Sequence, residues 1–281
     1  MSATIIDGKL IAAGLRESLK NDVEAMAKAR NMRPGLAVIL VGDDPASHVY
    51  VRNKIRACEE VGLQSFEVKL PAKAQQAEVE AEIQAFNDNH NIHGILLQLP
   101  VPEHLNSDAL IQMIDPAKDV DGLTYINIGK LVAGDESGLV PCTPQGSLAL
   151  IKSVREDLSG LHAVVIGRSL LFGKPMAQLL LAENCTVTMA HSRTKNLEEI
   201  CKSADILVAA VGRPKMVKGD WIKDGAIVID VGINRQDDGK LCGDVDYDET
   251  AKTASAITPV PGGVGPMTIA CLLANTVKAA K

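Results

Sequence analysis

Short aliphatic runs alternate with longer helical segments along most of this chain, and that alternation is the strongest constraint on its fold. In the first half, the apolar run at residues 35–41 leads through a Gly-Asp-Asp-Pro-Ala-Ser turn to a predicted helix at 47–61, which ends at Gly62. Alternation of this kind predicts parallel strands joined by helical crossovers. Because aromatic residues make up only 2% of the sequence, the core must consist of Val, Ile, Leu and Ala, which suits helices packed on a buried parallel sheet.

The remaining elements continue this alternation and fall into two groups. Further strands are predicted at 63–70, 92–99, 163–166, 186–190, 206–211 and 226–231, and further helices at 74–87, 126–131, 173–181 and 266–279. Between residues 115 and 144 the pattern gives way to Asp, Pro and Gly turns around one short helix, which indicates a hinge. A chain of 281 residues is long enough for two domains, and we expect α/β domains at residues 1–139 and 140–265.

Charge and residue usage argue against several classes of function. A formal net charge of −6 disfavours nucleic-acid binding through the whole surface, and no run approaches the roughly 18 apolar residues that a membrane span needs. The six cysteines show no C-x-x-C and no zinc-ligand spacing, which is typical of reduced thiols in a cytoplasmic protein. His90 and His93 straddle an Asn-rich turn, so we expect no metal site.

A glycine-containing turn joins a predicted strand to a predicted helix at Gly167. This is the context of a dinucleotide-binding fingerprint, although the turn carries Ser169 where a second glycine would stand before Gly173. Backbone N–H groups at the start of the following helix can hold an anion. Taken alone, the motif fits a phosphate-binding turn and an ordinary strand–helix turn equally well.

The segment after the next strand favours NADP over NAD. A cofactor with a free ribose 2′-hydroxyl usually meets an Asp or Glu about 20 residues after the glycine turn, and residues 189–195 contain no acid. Ser192, Arg193 and Arg168 would instead attract a 2′-phosphate. The alternative is a solvated basic turn without a ligand.

The predicted helix at 47–61 carries a phenol and an amine on one face. Tyr50 and Lys54 are four residues apart, a spacing that places side chains about 6 Å apart along a helix axis. Lysine is a poor base at its usual pKa of about 10.4, but burial lowers that value toward neutrality. An ordinary solvated helix face is the alternative interpretation of this pair.

Two other segments favour a functional role for the pair. Gln98 lies at the carboxyl end of a predicted strand, where ligands meet open α/β sheets, and its neutral amide could orient the lysine without fixing its charge. Asp119 and Asp121 lie in the hinge, where carboxylates could accept paired N–H donors from an amino-substituted heterocycle. A turn stabilised by aspartate side-chain hydrogen bonds is the alternative for that run.

Taken together, these residues resemble the family of bifunctional methylenetetrahydrofolate dehydrogenase/methenyltetrahydrofolate cyclohydrolases. Seven matching segments follow one another along essentially the whole chain: residues 50–54, 94–100, 118–122, 141–144, 167–169, 191–194 and 259–268. Seven matches in register are highly specific. The departures, at Leu170-Leu171-Phe172 and Gln145, do not touch the predicted chemistry.

The resemblance implies a fold and two consecutive reactions. It implies two α/β domains with a cleft between them: residues 1–139 as the catalytic, folate-binding domain and 140–265 as a Rossmann-like NADP-binding domain with a parallel sheet. The final helix, 266–281, is expected to pack back on the first domain, and a homodimer is expected through the cofactor domains. The reactions are oxidation of 5,10-methylenetetrahydrofolate by NADP and hydrolysis of the methenyl product to 10-formyltetrahydrofolate.

The resemblance also implies a role for each member of the site. Lys54 is implied to be the general acid/base of the hydrolytic step, with Tyr50 stacking on or hydrogen-bonding to the folate. Gln98 would position Lys54, and Asp121 would bind the pterin ring. The implied cofactor contacts are Gly167, Arg168, Ser169, Ser192 and the backbone at Ile233. The implied lining of the pterin pocket is Pro261 and Gly265.

Three other interpretations are distinguishable from this one. A monofunctional methylenetetrahydrofolate dehydrogenase using NAD or NADP would not need Lys54 paired with Gln98. A non-catalytic NADP-binding protein would need no lysine in the cleft at all. A short-chain dehydrogenase also carries Tyr-x-x-x-Lys, but its glycine fingerprint precedes that pair, whereas here it follows.

Overall fold

The structure, a computed structural model, describes residues 2–236 and 238–281. In chain order its strands are β1 (Thr4–Ile5), β2 (Gly35–Val41), β3 (Gln64–Leu70), β4 (Gly94–Leu97), β5 (His162–Ile166), β6 (Thr186–Ala190), β7 (Ile206–Ala209), β8 (Ile227–Asp230), β9 (Asn234–Arg235), β10 (Leu241–Cys242) and β11 (Ala256–Ile257). Its α-helices are α1 (Gly8–Arg30), α2 (Pro45–Val61), α3 (Gln76–Asp88), α4 (Ser107–Met113), α5 (Tyr125–Ala133), α6 (Cys142–Val154), α7 (Gly173–Ala182), α8 (Leu197–Lys202), α9 (Tyr247–Thr250) and α10 (Val264–Ala279).

The chain divides into two compact units, and each has its own parallel sheet. The three-stranded unit joins Ala13–Cys142 to Ile269–Lys281, and the six-stranded unit joins the N-terminal segment through Ala12 to Thr143–Thr268. The expected α/β class with parallel strands is confirmed. The N-terminal segment, expected within the domain at 1–139, belongs instead to the six-stranded unit because β1 pairs with β11 in that sheet.

The three-stranded unit is built around β2, which is buried along its whole length. The strand order is β3-β2-β4, with every pair parallel, as βαβ connections require. Helix α2, which follows β2, begins where the Asp44 carboxylate accepts a hydrogen bond from the Ser47 backbone N–H and where Pro45 supplies a preset φ. It ends at Gly62, whose φ of 86° is the left-handed C-cap conformation that glycine favours.

The six-stranded unit has the order β1-β11-β8-β7-β5-β6. The strand β5 lies between β7 and β6 and is parallel to both. The chain therefore passes from β5 outward to β6 and then returns to β7 on the other side of β5. In open α/β sheets this reversal creates a crevice at the carboxyl ends of the strands, which is the usual ligand-binding position. The strand β6 is the edge of the sheet.

The last part of α10 fastens a loop within the three-stranded unit. Asn275 is 2% exposed, and its side-chain Nδ2 donates to the backbone carbonyls of Val120 and Val140, both at 2.8 Å. Lys278 also donates to the carbonyls of Glu136 and Gly138. A buried carbonyl left without a donor costs about 1–3 kcal/mol, so these bonds define where the segments around residues 120 and 140 lie.

Most of the predicted elements are present, and several real ones were not predicted. The predicted strand at 35–41 matches β2 in both bounds, and the predicted helix at 47–61 matches α2 to within two residues. The sequence reasoning assigned no element before residue 35 and none at α6. Of the helices in the described ranges, none is long and apolar enough to cross a membrane.

Candidate active site

The predicted pair on α2 lies where the helix passes from exposed to buried surface. Tyr50 is 43% exposed, whereas Lys54, one turn further along the same face, is half-buried. Cys58, one turn beyond Lys54, is fully buried. The phenol ring is therefore accessible to a ligand, and the amine lies at the boundary between the exposed and the buried part of the helix.

A hydrogen bond to an uncharged amide holds the amine. The Lys54 Nζ donates to the Gln98 Oε1 at 2.9 Å, and the Gln98 Nε2 donates to the Leu99 carbonyl at 2.6 Å. An ammonium has no acceptor site, so it pairs with the Gln98 carbonyl oxygen, and the amide NH₂ is left to donate to the Leu99 carbonyl. The backbone N–H of Gln98 bonds to Ile39 of β2, so the amide sits at the carboxyl end of β4, on the sheet itself.

The two hinge aspartates, which the sequence could not distinguish, have different surroundings. Asp119 is 1% exposed, and its carboxylate accepts from the Thr124 backbone N–H at 2.7 Å and from Asn127 Nδ2 at 3.0 Å. Asp121 is only half-buried and lies near enough for its charge to act on Lys54. Asp119 therefore holds the loop together, whereas Asp121 acts on the amine through its charge.

Burial and charge act in opposite directions on this pair. Burial lowers the pKa of Lys54 below its usual value, and the nearby Asp121 carboxylate opposes that shift. Burial raises the pKa of Asp121, and the Lys54 charge opposes it in turn. Each group therefore gives up its charge more readily than in water, because desolvation outweighs the attraction between them. The amine can exchange a proton nearer to neutrality than a solvated lysine can.

Two thiols lie beside the amine and stay protonated. Burial raises the pKa of Cys58 to about 12 and raises the pKa of Cys142 well above its ordinary value. The Cys142 Sγ donates to the Val120 carbonyl at 3.1 Å. Neither thiol supplies a thiolate near pH 7, so neither competes with Lys54 as a base.

The six-stranded unit contains a separate cavity of about 520 Å³ at the carboxyl ends of β5, β6 and β7. This is the crevice expected at the reversal in strand order. Its wall includes residues from the turns after all three strands: Gly167, Arg168, Ser169, His191, Ser192, Thr194, Val211 and Arg213.

The turn after β5 is packed so closely that two of its positions admit only glycine. Gly167 has a φ of 136°, and a Cβ there would lie 2.5 Å from the Ala210 carbonyl oxygen. A Cβ at Gly173, the first residue of α7, would lie 2.2 Å from the Gly167 oxygen. Ser169 stands where a second glycine would be expected, and its Oγ stabilises the turn by accepting from the Phe172 N–H at 3.2 Å. The turn thus brings the backbone of Gly167, Arg168 and Ser169 against the cavity.

The turn after β6 places Ser192 on the cavity wall. His191 donates from its backbone to Thr194 Oγ1 at 2.8 Å, and Thr194 donates from its backbone to the His191 carbonyl, also at 2.8 Å. Arg193, predicted as a cofactor contact, is exposed and its backbone N–H bonds to the His191 ring. Ile233 is 50% exposed in the loop that follows β8. These two side chains do not line the cavity.

The remaining predicted residues lie in the glycine-rich turn that leads into α10. Pro261 is exposed, and Gly265 lies in the first turn of α10; both belong to the six-stranded unit. Arg213 was not predicted, although it follows β7 and the carboxyl-end rule applied to that strand would have found it. In the described residues, no group of three or more His, Cys, Asp or Glu side chains is arranged to hold a metal ion.

The cavity fits the phosphate-bearing part of a nucleotide cofactor. The cradle at Gly167 leaves no room for a side chain, as close approach of backbone to a phosphate requires. Arg168 and Arg213 on its wall supply guanidinium groups suited to phosphate oxygens. No carboxylate from the turn after β6 faces it, which matches a phosphorylated ribose better than a free one.

Comparison with known proteins finds two successive domains of one family in this chain. The catalytic domain of tetrahydrofolate dehydrogenase/cyclohydrolase matches residues 6–121, and the NAD(P)-binding domain of the same family matches residues 141–281. A bifunctional protein FolD from Dinoroseobacter shibae is 61% identical over 285 residues, covering 99% of this chain and 95% of that protein.

Solved structures of two relatives superimpose on the whole chain. The bifunctional methylenetetrahydrofolate dehydrogenase/cyclohydrolase from Campylobacter jejuni is 47% identical with a TM-score of 0.97, covering 99% of both chains. The enzyme from Trypanosoma brucei, complexed with NADP cofactor and inhibitor, is 38% identical with a TM-score of 0.95, covering 100% of this chain and 98% of that one. The chain belongs to the tetrahydrofolate dehydrogenase/cyclohydrolase family.

Proposed function

We propose that this protein is a bifunctional enzyme of one-carbon folate metabolism. It oxidises 5,10-methylenetetrahydrofolate to the 5,10-methenyl form with NADP, and it then hydrolyses that product to 10-formyltetrahydrofolate. The observation that carries the proposal is the half-buried Lys54 amine, bonded to the Gln98 carbonyl at 2.9 Å in a chain whose other unit holds a nucleotide-sized cavity. A dehydrogenase alone, or a protein that only binds NADP, has no use for such an amine.

Lys54 serves as both base and acid in the hydrolysis. The neutral amine takes a proton from water while the water oxygen bonds to the methenyl carbon. The resulting ammonium then protonates N5 as the bond between that carbon and N5 breaks, and the hydroxyl proton leaves to solvent as the formyl C=O forms. A group that exchanges protons twice works best with a pKa near the working pH, and burial moves Lys54 in that direction.

The neighbours of Lys54 position the substrate and the amine. Gln98 orients the amine through an uncharged oxygen, so it does not lock the ammonium form as a carboxylate would. The exposed ring of Tyr50 offers a stacking surface to the pterin, and Asp121 accepts N–H donors from it.

The six-stranded unit supplies the oxidising partner. Bound NADP contributes the two-electron acceptor for the methylene carbon. Gly167 and Ser169 bind its phosphates through backbone and hydroxyl groups. Arg168 and Ser192, on the cavity wall, would contact the 2′-phosphate, and Arg193, exposed outside that wall, would attract it by charge. The backbone at Ile233 completes the cofactor contacts.

We also propose a cytoplasmic homodimer formed through the six-stranded units. All six cysteines are free and buried, which suits a reducing compartment. The edge strand β6 is a ready surface for pairing, and apolar side chains stand exposed beside it, with Leu181 of α7 at 56% and Met189 of β6 at 36%. An edge strand flanked by exposed apolar side chains is typical of an interface between copies.

Replacing Lys54 tests the hydrolytic role. In Lys54→Met, we expect methenyltetrahydrofolate hydrolysis to fall by about 100-fold or more, since general acid–base catalysis contributes about 10²–10⁴, while the dissociation constant for NADP changes less than twofold. Absorbance at the methenyl band follows hydrolysis, and fluorescence titration follows NADP. Lys69→Met, which removes a 59%-exposed lysine side chain from β3, is the matched control. Hydrolysis retained in Lys54→Met would remove the amine from the mechanism.

The pH dependence of hydrolysis tests the electrostatics. The value of kcat/KM should rise with pH through a midpoint below 10.5, because Lys54 is active when neutral and burial lowers its pKa. The Asp121 charge opposes that lowering, so Asp121→Asn should move the midpoint to lower pH while reducing folate affinity. Glu67→Gln, on β3, is the control. A midpoint that moves to higher pH in Asp121→Asn contradicts the assignment.

Cofactor choice depends on the cations beside the glycine turn. Because charged hydrogen bonds to phosphate contribute about 1.5–3 kcal/mol, we expect Arg168→Ala to weaken NADP binding by about 10- to 100-fold and NAD binding by less than threefold. Arg193→Ala is expected to act in the same direction, and Lys195→Ala, in the same exposed turn, serves as the control. Isothermal titration with both nucleotides makes the comparison. Equal losses for NADP and NAD would show that neither arginine reads the 2′-phosphate.

The dimer is tested by placing a charge at the proposed interface. Leu181→Glu should convert the dimer to monomer in light scattering after gel filtration, because the carboxylate would be buried between apolar surfaces. Leu10→Glu is the matched control: Leu10 is 71% exposed and lies on α1, which follows the strand at the opposite edge of the sheet. Dimers that persist in Leu181→Glu would place the interface elsewhere.

A further inference from the structure

We propose that Asp244 is a positioning residue for the cofactor cavity, acting through the backbone loop that follows β7 and held in place by Asp230. The proposal rests on the proposed NADP-binding function of the six-stranded unit. Asp244 lies between β10 and α9 and is completely buried. It therefore does not touch a bound cofactor and acts only through the loop it holds.

The Asp244 carboxylate accepts hydrogen bonds from three successive residues of the loop after β7. Its Oδ2 accepts from the backbone N–H of Val211 at 2.6 Å and of Gly212 at 2.9 Å, and its Oδ1 accepts from that of Arg213 at 2.9 Å. Three successive N–H groups converge on one anion because Gly212 has a φ of 65°, which turns the chain as glycine readily allows. Val211 and Arg213 are themselves on the cavity wall.

The same carboxylate reaches the start of β9, where the loop that follows β8 ends. Its Oδ1 also accepts from Asn234 Nδ2 at 2.9 Å, and Asn234 directly follows Ile233. One side chain therefore sets the position of two loops at the carboxyl edge of the sheet. A carboxylate suits this task because it accepts at both oxygens, whereas an amide of equal size would turn an NH₂ toward backbone N–H groups.

Asp230, the last residue of β8, fixes the backbone at Asp244. Its carboxylate accepts from the backbone N–H of Gly232, Asp244 and Val245 at 2.8–3.0 Å. Burial raises the pKa of Asp230 to about 6, with the Asp244 charge adding to the rise and the three N–H bonds opposing it. Two buried carboxylates at this spacing are costly unless donors surround them, and here backbone donors meet both.

The glycines next to the aspartates show how closely the arrangement is built. A Cβ at Gly232 would lie 2.3 Å from Asp244 Oδ1, and a Cβ at Gly243 would lie within 1.7 Å of Asp230 Oδ2. Neither site has room for a side chain. The segments around residues 230–232 and 243–245 therefore form one interlocked support for the loop that carries Val211 and Arg213 of the cavity wall.

The consequence is a selective effect on nucleotide binding. In Asp244→Asn at least one of the four hydrogen bonds is replaced by a repulsive contact, and Arg213 shifts with its loop. We expect the NADP dissociation constant and the KM for NADP to rise about tenfold or more, because part of the binding free energy of NADP must then restore the loop position that the lost bond to a charged acceptor no longer holds. The kcat at saturating NADP and the hydrolysis of methenyltetrahydrofolate without nucleotide should stay within twofold of wild type.

The experiment compares these quantities in the full-length protein, with Asp246→Asn as the matched control. Asp246 lies two residues further on, and its carboxylate is 3.7 Å from the Lys218 Nζ rather than on the loop. If Asp244→Asn aggregates, Asn234→Ala removes one donor from the same carboxylate and should raise the NADP dissociation constant about threefold. Unchanged NADP affinity in the variant that is measured overturns the proposal.

A general structural role gives a different result. Loss of hydrolysis in parallel with NADP binding, together with a lower Tm, would mean that Asp244 only stabilises the fold and would also overturn the proposal. Failure of the proposed function is recognised separately, because the wild-type protein would then bind no NADP and the variants would not be the source of the difference.

Discussion

The hydrogen bond from Lys54 to the Gln98 carbonyl is the interaction on which the account of this protein depends. It joins the middle of α2 to the carboxyl end of β4, so it exists only because the parallel strands β2 and β4 lie side by side. A neutral partner holds the amine without stabilising its charge strongly, and burial lowers its pKa. Had a carboxylate stood in place of Gln98, the lysine would be a fixed cation and a poor proton carrier.

Four aspartates near the two sites have two different roles: three accept hydrogen bonds from the backbone, and one acts by its charge. Asp119, Asp230 and Asp244 are nearly or completely buried and accept backbone N–H groups from loops. Their backbone partners lie at the start of α5 and in the loops that follow β8 and β7. Asp121 is half-buried and instead acts by charge on Lys54. Buried aspartates therefore hold loops in place, while Asp121 is the carboxylate whose charge acts on Lys54.

Local patterns predicted the elements that carry the sites, and they failed where structure depends on distant partners. The buried run of β2 and the capped helix α2 were readable because burial and caps are local. The strand β1 has only two residues and gains its partner from β11, about 250 residues later, so no local pattern marked it. Its pairing also moves the N-terminal segment into the six-stranded unit.

The same limit applies to the site. Tyr50 and Lys54 follow from helical spacing, and Gln98 from the end of a strand, whereas the different surroundings of Asp119 and Asp121 depend on Thr124 and Asn127 side by side in space. Asp244 lies 33 residues from Val211, from whose backbone N–H it accepts a hydrogen bond. No pattern in the neighbouring sequence predicts that bond. Tertiary hydrogen bonds of this kind become visible only once the strands are placed.

The most direct test of the central claim is a ¹⁵N NMR titration of the Lys54 side-chain amine in the folded protein, assigned by comparison with Lys54→Met. The account predicts a midpoint clearly below the 10.5 of a solvated lysine, and a midpoint that moves when the Gln98 carbonyl is removed in Gln98→Met. A Lys54 amine that titrates at or above 10.5 and is indifferent to Gln98 would contradict it.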